Sequence, residues 1–354
     1  MRVCFIGAYD PEYPRNTVIR KGLRLNGVEV LECRLRPGYK FWLRYPLLLF
    51  QYKSLYTKHD IFFVPEFRQK DVPLAKMLSL FTSKKVVFDP LSPRYETKIT
   101  DWKRKPPDSW QARWNFLIDS WSLKLSDRIL ADTQAHKDYY CQKYNLPPGK
   151  IEVLPVGYDD DLYQPSGIVK KENGFTVLFF GSFLPLHGVD VITQSAKIVS
   201  GKDPSIQFII IGSGQTMPLA ETLASELGLN NIEFEGWLPQ SMLPKKIASS
   251  DVCLGIFGKT EKARRVVAHK IFQSLGMRKP LITTRTPAVE EFFSHRENIF
   301  LIPEPHPELL AQAILELRRD LDLRERIAER GYQLVSSNFS PEAIGKTLIR
   351  VLEK

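Results

Sequence analysis

The chain has 354 residues, a length typical of two domains. Of these residues 43% are hydrophobic and 25% charged, a composition typical of a folded globular protein. It excludes a disordered chain, a collagen-like repeat and a small disulfide-stabilised scaffold. Lysine and arginine number 50 and aspartate and glutamate 40, so the net charge is +10, of which residues 1–168 carry +8. We therefore expect the first half of the chain to meet any anionic surface that the protein contacts.

Short runs rich in Val, Ile and Phe alternate with helix-length amphipathic segments along the whole chain. Near-continuous apolar runs separated by helices are typical of parallel sheets that are covered on both faces. The runs lie at residues 3–7, 28–33, 61–65, 85–89, 128–132 and 151–155, and then at 176–181, 207–212, 232–234, 252–257, 281–284 and 300–302. Each half therefore predicts a doubly wound, Rossmann-like α/β domain. We expect ligands in a central cleft at the carboxyl ends of the two sheets.

Residues 164–174 contain proline, serine and glycine and separate the two sets of runs. The predicted domains are residues 1–168 and 169–354. Apolar spacing predicts three C-terminal helices, at residues 306–319, 320–336 and 340–353. Ser340 followed by Pro341 predicts the cap and first turn of the last helix. We expect this final helix, at about 340–354, to pack on the first domain.

The loop after the first run contains Arg15 and Asn16 but no GxGxxG pattern, which disfavours a nicotinamide dinucleotide site of the usual kind. Asn16 is a candidate cap for the following helix. Arg15 is either a ligand at the mouth of the site or a solvated loop arginine.

The second domain has two segments suited to an anion. Residues 181–190 read GSFLPLHGVD and open a helix, whose free amide groups suit an anion, while Gly181 and Gly188 allow close backbone approach. A second segment follows the run at 252–257 and leads into another helix. Its cations are Lys262, Arg264, Arg265 and Lys270. Four cations near a helix start are suited to a diphosphate, and the alternative is a solvated basic surface.

Cysteine and histidine patterns indicate no metal site. Free thiols, three of them buried, are predicted for Cys4, Cys33, Cys141 and Cys253. A surface position is predicted for His59, His136, His269, His295 and His306.

Residues 36–58 combine five basic side chains with many aromatic ones and contain no acidic residue. This mixture suits contact with a membrane surface. The alternative is a helix packed on its sheet with residues 47–50 inward and lysines outward, and both can hold together. The N-terminal residues are not expected to act as a signal peptide, and the apolar cluster at 41–50 is expected to be too short to span a bilayer. We expect a cytoplasmic protein.

The order of these segments resembles the retaining glycosyltransferases of family 4, also called group 1, which have the GT-B fold. The resemblance extends over most of the chain. The matching segments are residues 127–134 (DRILADTQ), 151–159 (IEVLPVGYD) with 163–165, 181–190, 209–214 (IIIGSG) with 234–237, 270–280 (KIFQSLGMRKP) and 286–291 (TPAVEE).

The resemblance implies transfer of a sugar from a nucleotide sugar to a glycan or lipid-linked acceptor, with retention of configuration. It implies that the second domain binds the donor and that no metal or other cofactor is needed. Fixed cations would stabilise the charge that builds on the leaving diphosphate. Such an enzyme would work in the cytoplasm, at the inner face of the membrane if residues 36–58 contact it.

The residue patterns and the resemblance together lead us to expect roles for individual residues. These are Asp89, Arg15 and Asn16 near the reacting carbon; Lys262, Arg264, Arg265, Lys270, His187 and Gly188 at the donor phosphates; Gln273, Trp237, Leu238 and Gly212 at the nucleoside; and Glu261 at the donor sugar. A loop or capping role is the alternative for Asp89. The tryptophan-rich residues 101–114 are either an acceptor surface or an ordinary loop.

The sequence departs from the family at two pairs of positions. The phosphate-binding Arg and Lys of the family correspond to Ser182 and His187, and its two glutamates correspond to Arg265 and Gln273. Two further functions therefore stay open: a degenerate protein that binds a glycan or partner without turnover, and a sugar-nucleotide epimerase. Nucleic-acid binding is disfavoured because the positive charge is spread and no nucleic-acid motif is present.

Overall fold

The computed structural model describes residues 1–165 and 174–354, which form two compact units. Unit 1 comprises Met1–Gly157 and Phe339–Lys354, and unit 2 comprises Tyr158–Asn338. Most of the predicted join at residues 164–174 lies outside the described residues. The chain enters unit 2 before residue 168, and its final segment belongs to unit 1.

Unit 1 contains a parallel six-stranded sheet with helices on both faces. The strands are β1 (Arg2–Gly7), β2 (Glu29–Arg34), β3 (Ile61–Val64), β4 (Lys85–Phe88), β5 (Arg128–Ala131) and β6 (Ile151–Val153). The helices are α1 (Pro14–Leu25), α2 (Phe41–Tyr52), α3 (Val72–Thr82), α4 (Trp110–Leu125) and α5 (Gln134–Tyr144), with α13 (Pro341–Glu353) added from the C-terminus. The strand order is β2-β1-β3-β4-β5-β6.

The direction of each crossover decides which face of this sheet a helix covers. Each of the helices α2 to α5 lies in a connection whose next strand is further toward β6, so these four helices share one face of the sheet. Helix α1 lies in the connection from β1 to β2, which runs the opposite way, so it covers the other face. Inward side chains of the first group, including Leu48, Leu78, Leu123 and Tyr140, form one core with the sheet. The helix α13 packs on α1.

Two glycines allow α1 and α13 to touch backbone to backbone. A Cβ atom on Gly22 would lie 2.1 Å from the carbonyl oxygen of Pro341, and one on Gly345 would lie 2.2 Å from that of Gly22. The predicted start of α13 is confirmed, because the Ser340 side chain accepts a hydrogen bond from the Ala343 amide and Pro341 occupies the first turn.

The inward face of α2 differs from the predicted one. Leu48 and Tyr52 are buried, whereas Leu47 and Phe50 are exposed. Arg44 also points inward and forms an ion pair with Asp71 at an N–O distance of 2.8 Å. This long-range ion pair sets the orientation of the helix, so the prediction that residues 47–50 as a group face inward is wrong.

Unit 2 repeats the architecture with a second parallel six-stranded sheet, in the order β12-β11-β10-β7-β8-β9. Its strands are β7 (Phe175–Ser182), β8 (Ile206–Ser213), β9 (Ile232–Glu235), β10 (Val252–Leu254), β11 (Leu281–Thr284) and β12 (Phe300–Ile302). Its helices are α6 (Val189–Ser200), α7 (Met217–Glu226), α8 (Leu243–Ser249), α9 (His269–Gly276), α10 (Pro287–Glu290), α11 (Pro307–Arg319) and α12 (Leu321–Asn338). The predicted fold class is confirmed, and every predicted run contains or overlaps a strand.

Candidate active site

The two predicted anion-binding segments of unit 2 lie against one another. They follow β7 and β10, which are hydrogen-bonded neighbours in the sheet. The amide of Phe257 donates to the carbonyl oxygen of His187, and that of Gly258 to the carbonyl oxygen of Leu186, both at 3.0 Å. Leu186 also shares a small apolar cluster with Ile256 and Ala263. Parallel pairing thus gathers both segments at one sheet edge, which is where ligands bind in α/β folds.

Lys270 supplies a buried amine to this edge. Its Nζ atom lies 3.7 Å from the centroid of the Phe179 ring and makes no hydrogen bond to the described residues. A Cβ atom on Gly181 would lie 2.8 Å from Nζ, so the glycine leaves room for the amine. Burial lowers the pKa of Lys270 well below its usual value of 10.5. An anion at this edge would stabilise the charged form of the amine.

His187 is buried beside Lys270. Its Nδ1–H donates to the carbonyl oxygen of Ser182, and because a carbonyl only accepts, Nδ1 carries the proton. Burial first, and then the charges of Lys270 and Lys262, hold the pKa of His187 well below its usual value. The neutral ring therefore presents the lone pair of Nε2 and brings no positive charge of its own.

The remaining cations differ in their surroundings. Lys262 is buried and close enough to His187 to act on its charge, whereas Arg264 is exposed. Arg265 forms an ion pair with Glu261 at 3.5 Å, and the Glu261 side chain is 69% exposed. The structure thus groups Lys262 and Lys270 with His187, and pairs Arg265 with the residue predicted at the donor sugar.

The predicted glycines have structural reasons to be glycine. Gly188 begins α6 with a φ of +62°, and a Cβ atom there would lie 2.2 Å from the carbonyl carbon of Phe257. Gly212 has a φ of +140° and pairs with Gly181, whose carbonyl oxygen would be 1.9 Å from an added Cβ. A cavity of about 230 Å³ opens beside the start of α6. Its lining includes Pro185, Gly188, Asp190, Thr216 and Lys259.

The residues predicted at the nucleoside lie on separate elements. Gln273 is buried on α9, one helical turn after Lys270. Trp237 is 68% exposed and Leu238 half-buried, on the segment that follows β9. Of these side chains, Gln273 is therefore on the same helix as the buried amine.

Arg15 and Asp89 form a fully buried ion pair in unit 1. The Nε atom of Arg15 donates to Asp89 at 2.7 Å, and its Nη1 atom donates to the carbonyl oxygens of Leu154 and Pro155 at 3.0 and 2.8 Å. The expectation of a solvated Arg15 is therefore wrong. The pair joins the start of α1 to the carboxyl ends of β4 and β6, and a role of either side chain at a reacting carbon stays a prediction.

Asn16 does not cap α1, because Tyr13 holds the cap position. The Asn16 amide instead donates to the carbonyl oxygen of Asp10 at 2.6 Å and to Oε1 of Glu66 at 2.9 Å. Glu66 was missed by the sequence analysis, although it follows β3 as Asp89 follows β4. Burial, and then the charge of Asp89, raises the pKa of Glu66 well above its usual value.

His136 is a second buried group that the sequence analysis missed. Its Nδ1 atom lies 2.6 Å from Oδ1 of Asp132 and its Nε2 atom 3.0 Å from Oε2 of Glu96. These two carboxylates outweigh burial and raise the pKa of His136 to about 9. His59 is buried as well, so the predicted surface position is wrong for both. The spacing of four between Asp132 and His136 at a helix start was the available signal.

One acidic cluster is compact enough to be considered for a metal ion. Among the residues that the structure describes, carboxylate oxygens of Asp159, Asp160 and Asp161 lie within 4.8 Å of one another. Consecutive acids near the surface are common without an ion, and the prediction of a metal-independent enzyme stays a prediction.

Family models match both units. Residues 10–162 match the model described as Glycosyltransferase Family 4, and residues 174–320 match the model described as Glycosyl transferases group 1. Together the two matches cover most of the chain, in the order that the sequence analysis expected. The chain belongs to the group 1 glycosyltransferases of family 4.

Curated relatives of this group 1 glycosyltransferase are distant. The lipopolysaccharide core biosynthesis glycosyltransferase LpsE of Rhizobium meliloti is 25% identical over 50% of this chain and 49% of that protein. The alpha-D-kanosaminyltransferase of Streptomyces kanamyceticus is 25% identical over 64% of this chain and 60% of that protein. The alignments thus span about half the length of the first curated relatives.

Solved structures resemble the group 1 glycosyltransferase over its whole length. Anabaena HepE in complex with UDP-glucose has a TM-score of 0.76 at 16% identity, and covers 100% of this chain and 99% of its own. Sucrose-phosphate synthase from Thermosynechococcus elongatus has a TM-score of 0.74 at 15% identity, covering 99% and 98%. This similarity establishes the GT-B fold.

Two of the residues that the sequence analysis matched with charged family residues are uncharged here. His187, which the resemblance matches with a phosphate-binding lysine, is neutral, while Lys270 places an amine beside it. Gln273, which the resemblance matches with a glutamate, has an acceptor oxygen and donor hydrogens. No helix within residues 1–165 and 174–354 is both long and apolar enough to cross a membrane.

Proposed function

We propose that the enzyme transfers a sugar from a nucleotide sugar bound by unit 2 to a glycan or lipid-linked acceptor, with retention of configuration and without a metal. The single observation that carries the proposal is the buried amine of Lys270, which has no hydrogen-bond partner among the described residues and lies at the carboxyl edge of the unit 2 sheet. A buried amine without a partner costs free energy unless a ligand supplies one.

A donor diphosphate is the ligand that suits this amine. Its negative charge would raise the pKa of Lys270 and favour the charged amine, which can donate a charge-assisted hydrogen bond to the diphosphate. Lys262 and the first amides of α6 lie on the same two segments. When the sugar departs, charge builds on the diphosphate, and cations already in place stabilise it without reorganisation.

The named relatives support this donor class. HepE was solved in complex with UDP and with UDP-glucose, and two curated relatives are named a lipopolysaccharide core biosynthesis glycosyltransferase and an alpha-D-kanosaminyltransferase. A glycan acceptor agrees with the first of these two names. We infer that Gln273 and the segment around Trp237 and Leu238 recognise the nucleoside, and that Glu261 contacts the donor sugar.

Calorimetric titration tests the donor first. UDP, GDP and ADP are titrated into the enzyme in the presence of EDTA, followed by the nucleotide sugars of the base that binds. We expect one base to bind clearly more tightly than the others, and EDTA to leave its affinity unchanged. A Lys270→Ala/Arg264→Ala variant should bind that nucleotide at least tenfold more weakly, and unchanged affinity would contradict the proposed phosphate site.

The acceptor and the stereochemistry need product analysis. Incubation with the identified donor and a lipid-linked glycan fraction should give a product whose anomeric configuration, read from the proton NMR coupling constant, equals that of the donor. Inversion would contradict the proposed retention. We propose that residues 36–58 hold the enzyme at the inner face of the membrane, where such acceptors are carried, and that residues 101–114 face the acceptor.

A non-catalytic, nucleotide-sugar-binding protein is the second candidate. The observation that favours it is the buried pairing of Asp89 with Arg15, which uses the carboxylate predicted near the reacting carbon. Slow hydrolysis of the bound donor without acceptor would support the transferase. Tight donor binding with neither hydrolysis nor transfer to any glycan tested would support the second candidate.

A further inference from the structure

The outward side of helix α2 is apolar, although the helix lies at the surface of unit 1. The single charged residue of this helix is Arg44, and it points inward to Asp71. Leu48 and Tyr52 follow at intervals of four and are buried on the same side. The other side exposes Trp42, Leu43, Leu47 and Phe50, and Phe50 is 73% exposed. A soluble surface helix has the reverse arrangement, with its charges outward.

Helices α3 and α4 extend this apolar surface. Their inward residues Leu78 and Leu123 share one core with Leu48 of α2, so the outward sides of the three helices point away from the same sheet face. The hydroxyl of Tyr56, just after α2, donates to the carbonyl oxygen of Phe81 of α3 at 3.4 Å, which places α2 and α3 side by side. We call this surface the α2–α4 face. Its exposed apolar residues are Trp42, Leu43, Leu47, Phe50, Met77, Leu80, Phe81, Trp110, Trp114, Trp121 and Leu125.

The concentration of apolar side chains on this face is high. Within the described part of the chain, twenty large apolar side chains are exposed, and eleven of them belong to these three helices. Scattered single exposures need no explanation, whereas contiguous patches mark contact with a partner or a membrane. A cleft of about 570 Å³ opens on the α4 part of the face, between Trp110, Trp114, Tyr95 and Lys143.

The charges of residues 36–125, which include the three helices of this face, favour an anionic partner. Residues 36–125 contain 17 lysines and arginines and eight acids, which accounts for most of the net charge of the chain. Six of the eight acids are buried: Glu66, Asp71, Asp89, Glu96, Asp101 and Asp119. The other two are Asp60, which accepts a hydrogen bond from the backbone amide of Arg2, and Asp108. Most of the charge that residues 36–125 leave exposed is therefore positive.

We propose that the α2–α4 face docks on an anionic phospholipid bilayer. Tryptophan rings favour the depth of the headgroups, and Lys40 already lies 5.2 Å from the centroid of the Trp42 ring. Leucine and phenylalanine side chains enter the acyl boundary, and the surrounding lysines and arginines meet anionic headgroups. The proposal deepens the membrane contact proposed for residues 36–58, because it adds α3 and α4 and fixes which side of α2 is buried in lipid.

Vesicle binding tests the proposal independently of sugar transfer. The full chain is mixed with vesicles of 30% phosphatidylglycerol in phosphatidylcholine, or of phosphatidylcholine alone, and separated by flotation. We expect at least tenfold tighter binding to the anionic vesicles, and a several-fold loss when salt rises from 0.1 to 0.5 M. Leu47→Ser/Phe50→Ser and Leu80→Ser/Phe81→Ser should each weaken binding at least tenfold. Leu219→Ser, an equally exposed change on α7 of unit 2, should not.

Tryptophan fluorescence reports the orientation directly. Four of the six tryptophans lie on the α2–α4 face, so vesicles with brominated acyl chains should quench most of the emission. Trp237→Phe, which removes the tryptophan of unit 2, should leave the quenched amount unchanged. Unfolding midpoints of all variants are measured first, and UDP binding without vesicles shows whether the donor site is intact. A failure of docking is thus separable from a failure of the proposed reaction.

Three results would overturn the proposal. The first is equal binding to both kinds of vesicle without an effect of the α2 and α3 variants. The second is self-association in sedimentation that Leu47→Ser/Phe50→Ser abolishes, because the face would then bind a second copy of the chain. The third is tight binding of a single-stranded oligonucleotide that these variants weaken while vesicle binding is absent.

Discussion

Replacing Lys270 by methionine should stabilise unit 2 and weaken its binding of the donor. Methionine fills a similar volume beside the Phe179 ring and has no amine to bury. A buried polar group without a partner costs about 1–3 kcal/mol, so the unfolding free energy should rise by about that amount. The midpoint would rise by about 2–4 °C for each kcal/mol.

The same change removes a charge-assisted hydrogen bond to the diphosphate. Such a bond contributes about 1.5–3 kcal/mol, so the affinity for the nucleoside diphosphate should fall by about 10- to 150-fold. Scanning calorimetry with and without UDP measures both effects on one protein. Lys245→Met, on the exposed part of α8, is the matched control and should change neither value.

The pH dependence identifies the amine as the cause. Because the folded pKa of Lys270 lies below the unfolded value of 10.5, the unfolded chain binds more protons, and wild-type stability rises as the pH rises toward 10.5. The advantage of Lys270→Met should therefore shrink as the solution becomes alkaline. A variant that is less stable than wild type at pH 7, or that binds UDP with wild-type affinity, would refute the reasoning.

Three further outcomes are expected. Asp89→Asn leaves the buried Arg15 charge unpaired and should cost unit 1 about 3–5 kcal/mol in calorimetry, whereas Arg15→Met/Asp89→Leu should cost less than either single change; additive losses would contradict this. Gly212→Ala drives a methyl group into β7 and should weaken UDP binding, whereas Gly228→Ala, at a φ of +61° in open space, should not. The pKa of His136 is about 9 in the folded chain and 6.5 in the unfolded chain, so its stabilisation is complete below pH 6.5 and is lost as the pH rises through 9. If the melting temperature of His136→Gln keeps this pH dependence, a group other than His136 causes it.

The fold could be predicted because its signals are local. Parallel strands buried on both faces are near-continuous apolar runs, and all twelve runs contain or overlap strands. The last three helices follow from their spacing, and the cap at Ser340 follows from two adjacent residues. The anion-binding segments could be located for the same reason, since each directly follows a strand.

Burial of polar groups could not be predicted, because it depends on partners that are distant in sequence. Arg15 lies 74 residues from Asp89, and His136 lies 40 residues from Glu96. The inward face of α2 depends on the pairing of Arg44 with Asp71. The apolar residues of this helix lie on all of its sides, so their spacing does not show which side faces the sheet. The neutral state of His187 likewise follows from its burial next to Lys270 and not from its position in a motif.

The glycine contact between α1 and α13 has a consequence for the biosynthesis of the chain. Residues 14–25 are synthesised before unit 2, whereas α13, the helix that covers them, is synthesised after it. At about 5–20 residues per second, residues 158–354 take on the order of 10–40 s to synthesise. During that time Val18 and its apolar neighbours on α1 lack their final cover. The contact surface of α1 in the nascent chain therefore stays without its partner helix until α13 has been synthesised.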